Sequence, residues 1–213
     1  MEIHAPEKPI LTVREAAVHL LIVTVGILIA LSLEAIVEYV HHRTIVREAR
    51  EIMREEIEQN SKELDQTLTH VKTQGGFLAV GIDYAQAVAH GQNLAAPVAA
   101  LSGMLDYRTA NLHSAAHATA ELMGAFSYMD YKEVSRYAAV YDAQQDFIRV
   151  QAAAFAPGLS AFSYGLHRDL AKAPPAELQA IADKLREALG ALVLTGQTGK
   201  ALHEQYVKVL AKE

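Results

Sequence analysis

Histidines and a carboxylate recur at helical spacing in one alanine-rich stretch. His113, His117 and Glu121 lie four residues apart, so a helix would place all three on one face. Imidazole and carboxylate groups bind divalent metals, and a His-x-x-x-His pair can fill two positions of a tetrahedral site. A solvated or capped histidine pair on a surface helix fits the same pattern. The glutamate of His-Glu-x-x-His is missing, so the pattern does not indicate a metalloprotease.

A second group of ionisable residues follows a long apolar run. Residues 16–33 contain no Asp, Glu, Lys or Arg, and the sequence SLEAIVEYVHHR overlaps the end of this run. At 100° per residue, five residues fall within about 80° of one another on a helix: His19, Gly26, Ala30, Glu34 and His41. Small residues on such a face let two membrane helices approach closely. The face therefore predicts a homo-oligomer with a ring of Glu34 carboxylates that could bind protons or cations. The alternative is that Glu34 lies just outside the lipid core.

Other motifs do not support an enzyme. Glu38 and His41 form one Glu-x-x-His, whereas a di-iron bundle needs two of them and two further glutamates. Residues 191–201 resemble a phosphate-binding loop, but Leu194 and Ala201 replace its first glycine and its Ser/Thr. Gly196 and Gly199 in that stretch instead indicate a close helix crossing or a kink. A polar pocket or a core edge could be formed by Tyr131, Tyr137, Tyr141, Gln144 and Gln145.

Composition narrows the function classes further. The 213-residue chain has a formal net charge of −6, which argues against nucleic-acid binding. It contains no cysteine, and therefore no disulfide framework or thiolate chemistry. Alanine is abundant and strand-forming runs are scarce, which favours helices.

The elements that would position these residues are all helical. We predict an N-terminal tail over 1–15, a single transmembrane anchor over 16–40, an amphipathic, coiled-coil-like helix over 41–74 and an antiparallel helical bundle over 77–213. The first two helices should form one nearly continuous helix from about Arg14 to about Thr73. Its apolar stripe consists of Ile45, Ala49, Ile52, Met53, Ile57, Asn60, Leu64, Leu68 and Val71. Asn60 on that stripe is typical of residues that fix coiled-coil register.

Breaks and caps set the remaining boundaries. Gly75-Gly76 predicts the first break, Gly91 closes a helix over 77–90, and 106–126 is a further helix. Asp130 and Glu133 have capping-box spacing, and Pro157-Gly158 ends the helix that they start. That helix should bury Val134, Tyr137, Tyr141, Ile148, Ala152 and Phe155. A short helix reaches about Ala173, and Pro174-Pro175 opens the last helix, whose stripe contains Leu178, Ile181, Leu185, Leu189, Leu192, Gly196, Gly199, Tyr206 and Leu210.

The N-terminal quarter resembles uncharacterised bacterial single-pass membrane proteins. The resemblance is carried by Glu15 before the anchor, the run GILIAL at Gly26–Leu31 and the spaced Glu56–Asn60. It implies a location in the bacterial inner membrane and no particular activity. Basic residues are denser after the apolar run, at Arg43, Arg47, Arg50 and Arg54, than before it, at Lys8 and Arg14. The positive-inside rule then predicts a cytoplasmic C-terminal domain, although short N-terminal tails often stay inside, which would make that domain periplasmic.

Two functions are consistent with these features. The first is a membrane-anchored helical interaction or scaffold protein without catalytic activity, bound to lipid, to copies of itself and to an unidentified protein partner. The second is a ligand- or metal-binding sensor that uses His113, His117 and Glu121 for a divalent metal. An enzyme whose motif is not visible ranks third.

Overall fold

The structure is a computed structural model that describes residues 12–104, 106–165 and 172–211. Five α-helices and one short 3-10 helix make up its regular structure: α1 (Val13–Ala89), α2 (Val98–Gly103), α3 (Ala115–Leu122), the 3-10 helix (Ala125–Tyr128), α4 (Tyr131–Gly165) and α5 (Pro175–Leu210). No strand occurs in these ranges, so the all-α prediction is confirmed. The chain divides into two compact units, Met1–Arg47 (unit 1) and Glu48–Glu213 (unit 2).

Helix α1 is 77 residues long and confirms the predicted continuous helix. It starts with a capping box, in which the Thr12 backbone N–H donates to Glu15 Oε2 at 2.9 Å. The predicted break at Gly75-Gly76 is wrong, because α1 continues to Ala89. A Cβ on Gly75 would lie 3.6 Å from Leu189 Cδ1, so α5 packs against α1 at this point. The left-handed Gly91, at φ +80°, follows the end of the helix.

The α1 part of unit 2 buries one stripe at alternating steps of three and four residues. Its buried positions are Ala49, Met53, Glu56, Ile57, Asn60, Leu64, Thr67, Val71, Gln74, Leu78, Gly81, Ile82, Tyr84 and Ala85. Most of the predicted stripe is buried as expected. The stripe also extends past the two glycines, which explains why packing carries the helix through them.

Helix α4 departs from the prediction in its end and in its face. It contains Pro157 and continues to Gly165, so the predicted end at Pro157-Gly158 is wrong. The rest of the predicted short helix, residues 166–171, lies outside the described ranges. The buried face contains Gln144, Phe147, Gln151 and Ala154, whereas the predicted Ile148, Ala152 and Phe155 are exposed.

Helix α5 begins at Pro175 after an extended Pro174, as predicted. Its buried residues include Leu178, Ile181, Leu185, Leu192, Gly199 and Tyr206. Together with Val71, Leu78 and Ile82 of α1, three of them form an apolar core cluster. The predicted stripe of α5 is therefore correct for these residues.

Side-chain pairs give the directions of the helices within unit 2. Arg50 donates a hydrogen bond to Glu133, Tyr141 donates one to Glu56, and Asn60 donates one to Gln144. Residue numbers rise together along α1 and α4, so these two helices run in the same direction rather than antiparallel. In contrast, Asp65 pairs with His203 at 2.8 Å and Gly75 faces Leu189, so α1 and α5 run in opposite directions.

The predicted helix over 106–126 is wrong in its first half. Residues 106–114 carry no helix, α3 covers only Ala115–Leu122, and a left-handed Gly124 at φ +71° separates it from the 3-10 helix. The cause is a competition for hydrogen bonds. Side chains of α1 and α4 take the backbone groups of this segment, as described below.

Candidate functional site

A buried polar network connects α1, α4 and α5 with the non-helical segment 106–114. Asn60 Nδ2 donates to the His113 carbonyl at 2.7 Å, and the His113 N–H donates to Asn60 Oδ1 at 2.9 Å. Gln151 makes the equivalent pair with Ala110, at 2.8 and 3.1 Å. Each amide thus satisfies the backbone N–H and C=O of one residue in a segment without helix.

Gln144 links Asn60 on α1 to Tyr206 on α5 through hydrogen bonds. Its Oε1 accepts from Asn60 Nδ2 at 3.1 Å and from the Tyr206 hydroxyl at 2.6 Å, while its Nε2 donates to the His113 carbonyl at 2.8 Å. Asn60, Gln144 and Tyr206 are all at most 1% exposed. Buried amides and hydroxyls are stable only when they are bonded, and this arrangement bonds each of them.

Glu56 is the buried carboxylate of the network. Its Oε2 accepts from the Ala116 N–H at 2.9 Å, and its Oε1 accepts from the Tyr141 hydroxyl at 2.8 Å. Ala116 lies in the first turn of α3, where Ser114 makes no side-chain cap bond. Glu56 therefore caps α3 from another helix and places negative charge at its N-terminus, which stabilises that end.

Glu133 is held by a bidentate ion pair instead of completing the predicted capping box. Arg50 Nε and Nη2 donate to Glu133 Oε1 and Oε2 at 2.6 and 2.7 Å. Asp130 Oδ1 accepts from the Lys132 N–H at 2.8 Å, so Asp130 still caps α4. The fork geometry fixes the start of α4 beside α1.

Both network tyrosines resist ionisation. Burial raises the pKa of Tyr141, and its bond to the Glu56 carboxylate raises that pKa further. Burial likewise raises the pKa of Tyr206, with a smaller contribution from the Glu56 charge. The hydroxyls therefore stay protonated and act as donors.

Because these hydroxyls must stay protonated, we expect the stability of unit 2 to fall at alkaline pH. Because the folded pKa values lie above the ordinary tyrosine value of 10.0, the tyrosines contribute full stability below that pH and lose it as pH rises beyond it. We expect the urea midpoint to fall steeply above pH 10.0, with a shallower fall in Tyr206→Phe. Tyr131, which is 83% exposed, gives the control variant Tyr131→Phe with an unchanged slope. Equal slopes in all three proteins would contradict the assignment.

The proposed metal ligands do not share one helix face. His113 lies in the non-helical segment before α3, while His117 and Glu121 are on α3. The His117 ring packs against Tyr141 and Phe126, with centroids 4.5 and 5.1 Å away, and Glu121 is exposed. Within the ranges that the structure covers, no group of three His, Asp or Glu side chains is placed to hold a metal ion.

The predicted packing face of the anchor lies on unit 1. His19, Gly26, Ala30, Glu34 and His41 are all helical and exposed. A Cβ on Gly26 would have no atom within 4 Å, so nothing in the chain itself requires a glycine there. Glu38 lies 3.9 Å from His42 Nε2 one turn later, a helical ion-pair spacing.

The rejected phosphate-loop motif is helical in α5. A Cβ on Gly199 would lie 2.6 Å from Leu68 Cδ2 and 3.0 Å from Phe147 Cε2. Gly199 therefore marks a close helix crossing, as predicted. Of the suggested pocket residues, Tyr137, Tyr141 and Gln144 are buried, whereas Tyr131 and Gln145 are exposed.

Sequence reasoning identified Asn60 but missed Glu56 and Gln151 as network members. The signal for Gln151 was its spacing of seven from Gln144 on one helix face. For Glu56, no local signal distinguishes a carboxylate that caps a distant helix from one in water.

Among the described residues, one helix is long and apolar enough to cross a membrane. It is α1, whose best 18-residue window has a mean hydropathy of 2.7 and no part buried within the chain. No protein-family model, curated protein or solved structure matches this chain, so the resemblance to bacterial single-pass membrane proteins stays a prediction.

Proposed function

We propose that the protein is a membrane-anchored helical interaction protein without catalytic activity, which self-associates through its anchor. The observation that carries the proposal is the apolar 18-residue stretch of α1, no part of which is buried against the rest of the described chain. Large side chains on every side of it are exposed, including Leu20, Ile29 and Val37. Exposure of such an apolar surface to water is unfavourable, whereas the hydrocarbon core of a bilayer accommodates it.

The hydroxyls of the apolar run support this environment. Thr24 Oγ1 donates to the Leu20 carbonyl at 2.8 Å, and Ser32 Oγ donates to the Leu28 carbonyl at 2.7 Å. Both groups are thus satisfied within the helix, as hydrocarbon requires. At the end of the run, Arg43 stacks on the Tyr39 ring at 5.6 Å, a pair suited to the headgroup layer.

Unit 2 supports a binding role rather than catalysis. The titratable groups of the buried polar network all have partners: Glu56 accepts from the Ala116 N–H and the Tyr141 hydroxyl, and the Tyr206 hydroxyl donates to Gln144. A network of this kind fixes a structure instead of presenting a reactive group to a substrate. We infer that unit 2 is a helical bundle on the cytoplasmic side, and that a partner binds its outer surface.

Membrane anchorage and orientation are tested together. The full chain should stay with bacterial membranes after alkaline carbonate extraction, and protease added to spheroplasts should leave unit 2 intact. Recovery in the soluble fraction would contradict the anchor. Cleavage of unit 2 in intact spheroplasts would contradict only the orientation.

Self-association is tested at Gly26. Because its Cβ direction is open within the chain, Gly26→Leu should leave the protomer folded while it blocks close approach of two anchors. We expect Gly26→Leu to dissociate the oligomer in sedimentation experiments in detergent and Gly26→Ala to retain it. A monomer in the wild type, or an unaffected oligomer in Gly26→Leu, would contradict association through this face.

A further inference from the structure

An apolar groove with a cationic rim runs between α1 and α5 in unit 2. It is open to solvent along one side and has a volume of about 380 Å³, and its walls include Leu68, Val71, Leu192 and Val193. This volume lies in the range of small-molecule sites, which are commonly apolar with few polar groups. The groove is separate from the residues of the buried polar network.

Two glycines leave the space open. Gly75 on α1 and Gly196 on α5 both line the groove, and a Cβ on Gly196 would meet nothing closer than Val71 Cγ1 at 3.8 Å. The crossing itself therefore does not need glycine at 196, unlike at Gly199. A longer side chain at 196 would instead fill the groove.

The charge around the groove has one sign. Lys72 and Lys200 line it from the two helices, and no Asp or Glu is among its lining residues. Neither lysine has a hydrogen-bond or ion-pair partner among the residues that the structure describes. In a chain of net charge −6, two unpaired lysines beside an apolar trough complement a ligand with one anionic end and one apolar end.

We propose that this groove binds a free fatty acid, with the acyl chain along Leu68, Val71 and Val193 and the carboxylate at Lys72 and Lys200. The volume and the charge of the groove select the occupant. A volume of about 380 Å³ with apolar walls suits a single acyl chain, and the two lysines among the lining residues suit one carboxylate. A lysine ammonium binds a carboxylate through charge-assisted hydrogen bonds.

The experiment measures binding of isotope-labelled dodecanoate to the full chain in lipid nanodiscs, with empty nanodiscs as the partition blank. We expect saturable binding above the blank. Gly196→Leu should weaken it by about tenfold or more, because the added side chain occupies the trough. Gly190→Leu is the matched control, since Gly190 lies on the same helix with no atom within 4 Å of its Cβ direction.

The charge of the headgroup is tested separately. The double variant Lys72→Glu/Lys200→Glu should lose dodecanoate and gain dodecyltrimethylammonium, while Lys62→Glu, an exposed position on α1, should change neither. Thermal melts verify that each variant is folded. Dodecanoate binding equal to that of empty nanodiscs would overturn the proposal. Binding that neither Gly196→Leu nor Lys72→Glu/Lys200→Glu changes would also overturn it. If Gly196→Leu instead shifts only the oligomeric mass, the groove joins two copies of the chain and the fatty-acid assignment is wrong. None of these outcomes depends on Gly26, so they are distinct from failure of anchor self-association.

Discussion

The Leu185→Asp variant is expected to lose the cooperative unfolding transition of unit 2. Leu185 is 6% exposed and belongs to the apolar cluster of α1 and α5. Burial of an unpaired carboxylate costs several kcal/mol, which is comparable with the total stability of a typical domain, about 5–15 kcal/mol. The core would also lose the buried leucine side chain, at about 2–5 kcal/mol.

Leu194→Asp is the matched control on the same helix. Leu194 is 52% exposed, so its replacement by aspartate buries no charge and should leave unfolding nearly unchanged. Limited proteolysis of unit 2, together with urea unfolding followed by circular dichroism, separates the two variants. If Leu185→Asp unfolds like Leu194→Asp, the packing of α5 against α1 is wrong.

The sequence predicts the helices best where one apolar face decides their position. The stripe of α5 and its start at Pro174-Pro175 follow from a regular apolar period and a proline at the first turn. The α1 stripe is equally regular. Along both helices, burial repeats a pattern that the sequence already contains.

The predicted helix ends are wrong where tertiary contacts outweigh the tendency of a local glycine or proline to end a helix. Gly75-Gly76 stays helical beside Leu189. Pro157 stays helical between the buried Ala154 and Ala161, and Ala161 belongs to the apolar cluster with residues of α5. Proline removes one backbone hydrogen bond, but contacts on either side of it favour a continuous helix. Local propensity cannot report such contacts.

The predicted helix differs most from the structure in the non-helical segment 106–114, and the cause lies in side chains that are distant in sequence. Residues 106–114 include alanine, leucine and arginine, which favour a helix locally. Asn60 and Gln151 nevertheless bond the backbone of His113 and Ala110. The predicted metal face requires His113 and His117 to share one helix, and the non-helical backbone at His113 does not provide it.

We expect Asn60→Leu to destabilise unit 2 by about 2–4 kcal/mol, because it removes the three hydrogen bonds of a buried amide. Asn60 is 1% exposed. The His113 N–H donates to Asn60 Oδ1 and would be left without that acceptor. Gln59→Leu is the matched control, since Gln59 is the exposed neighbour on the same helix and should change stability little.

The coupling between Asn60 and Gln144 distinguishes a network from a simple packing defect. In Gln144→Leu the His113 carbonyl keeps Asn60 as a donor, and in Asn60→Leu it keeps Gln144. Only the double variant removes both donors. If the two amides bonded independent partners, the losses of stability in the two single variants would add up in the double variant. Because the amides share the His113 carbonyl and a hydrogen bond to each other, we expect an interaction energy between the two substitutions of about 0.5–3 kcal/mol. Urea unfolding of the four proteins measures it. Additive losses would mean that the two amides act separately, and that the non-helical segment is held in place by its apolar side chains rather than by the shared hydrogen bonds.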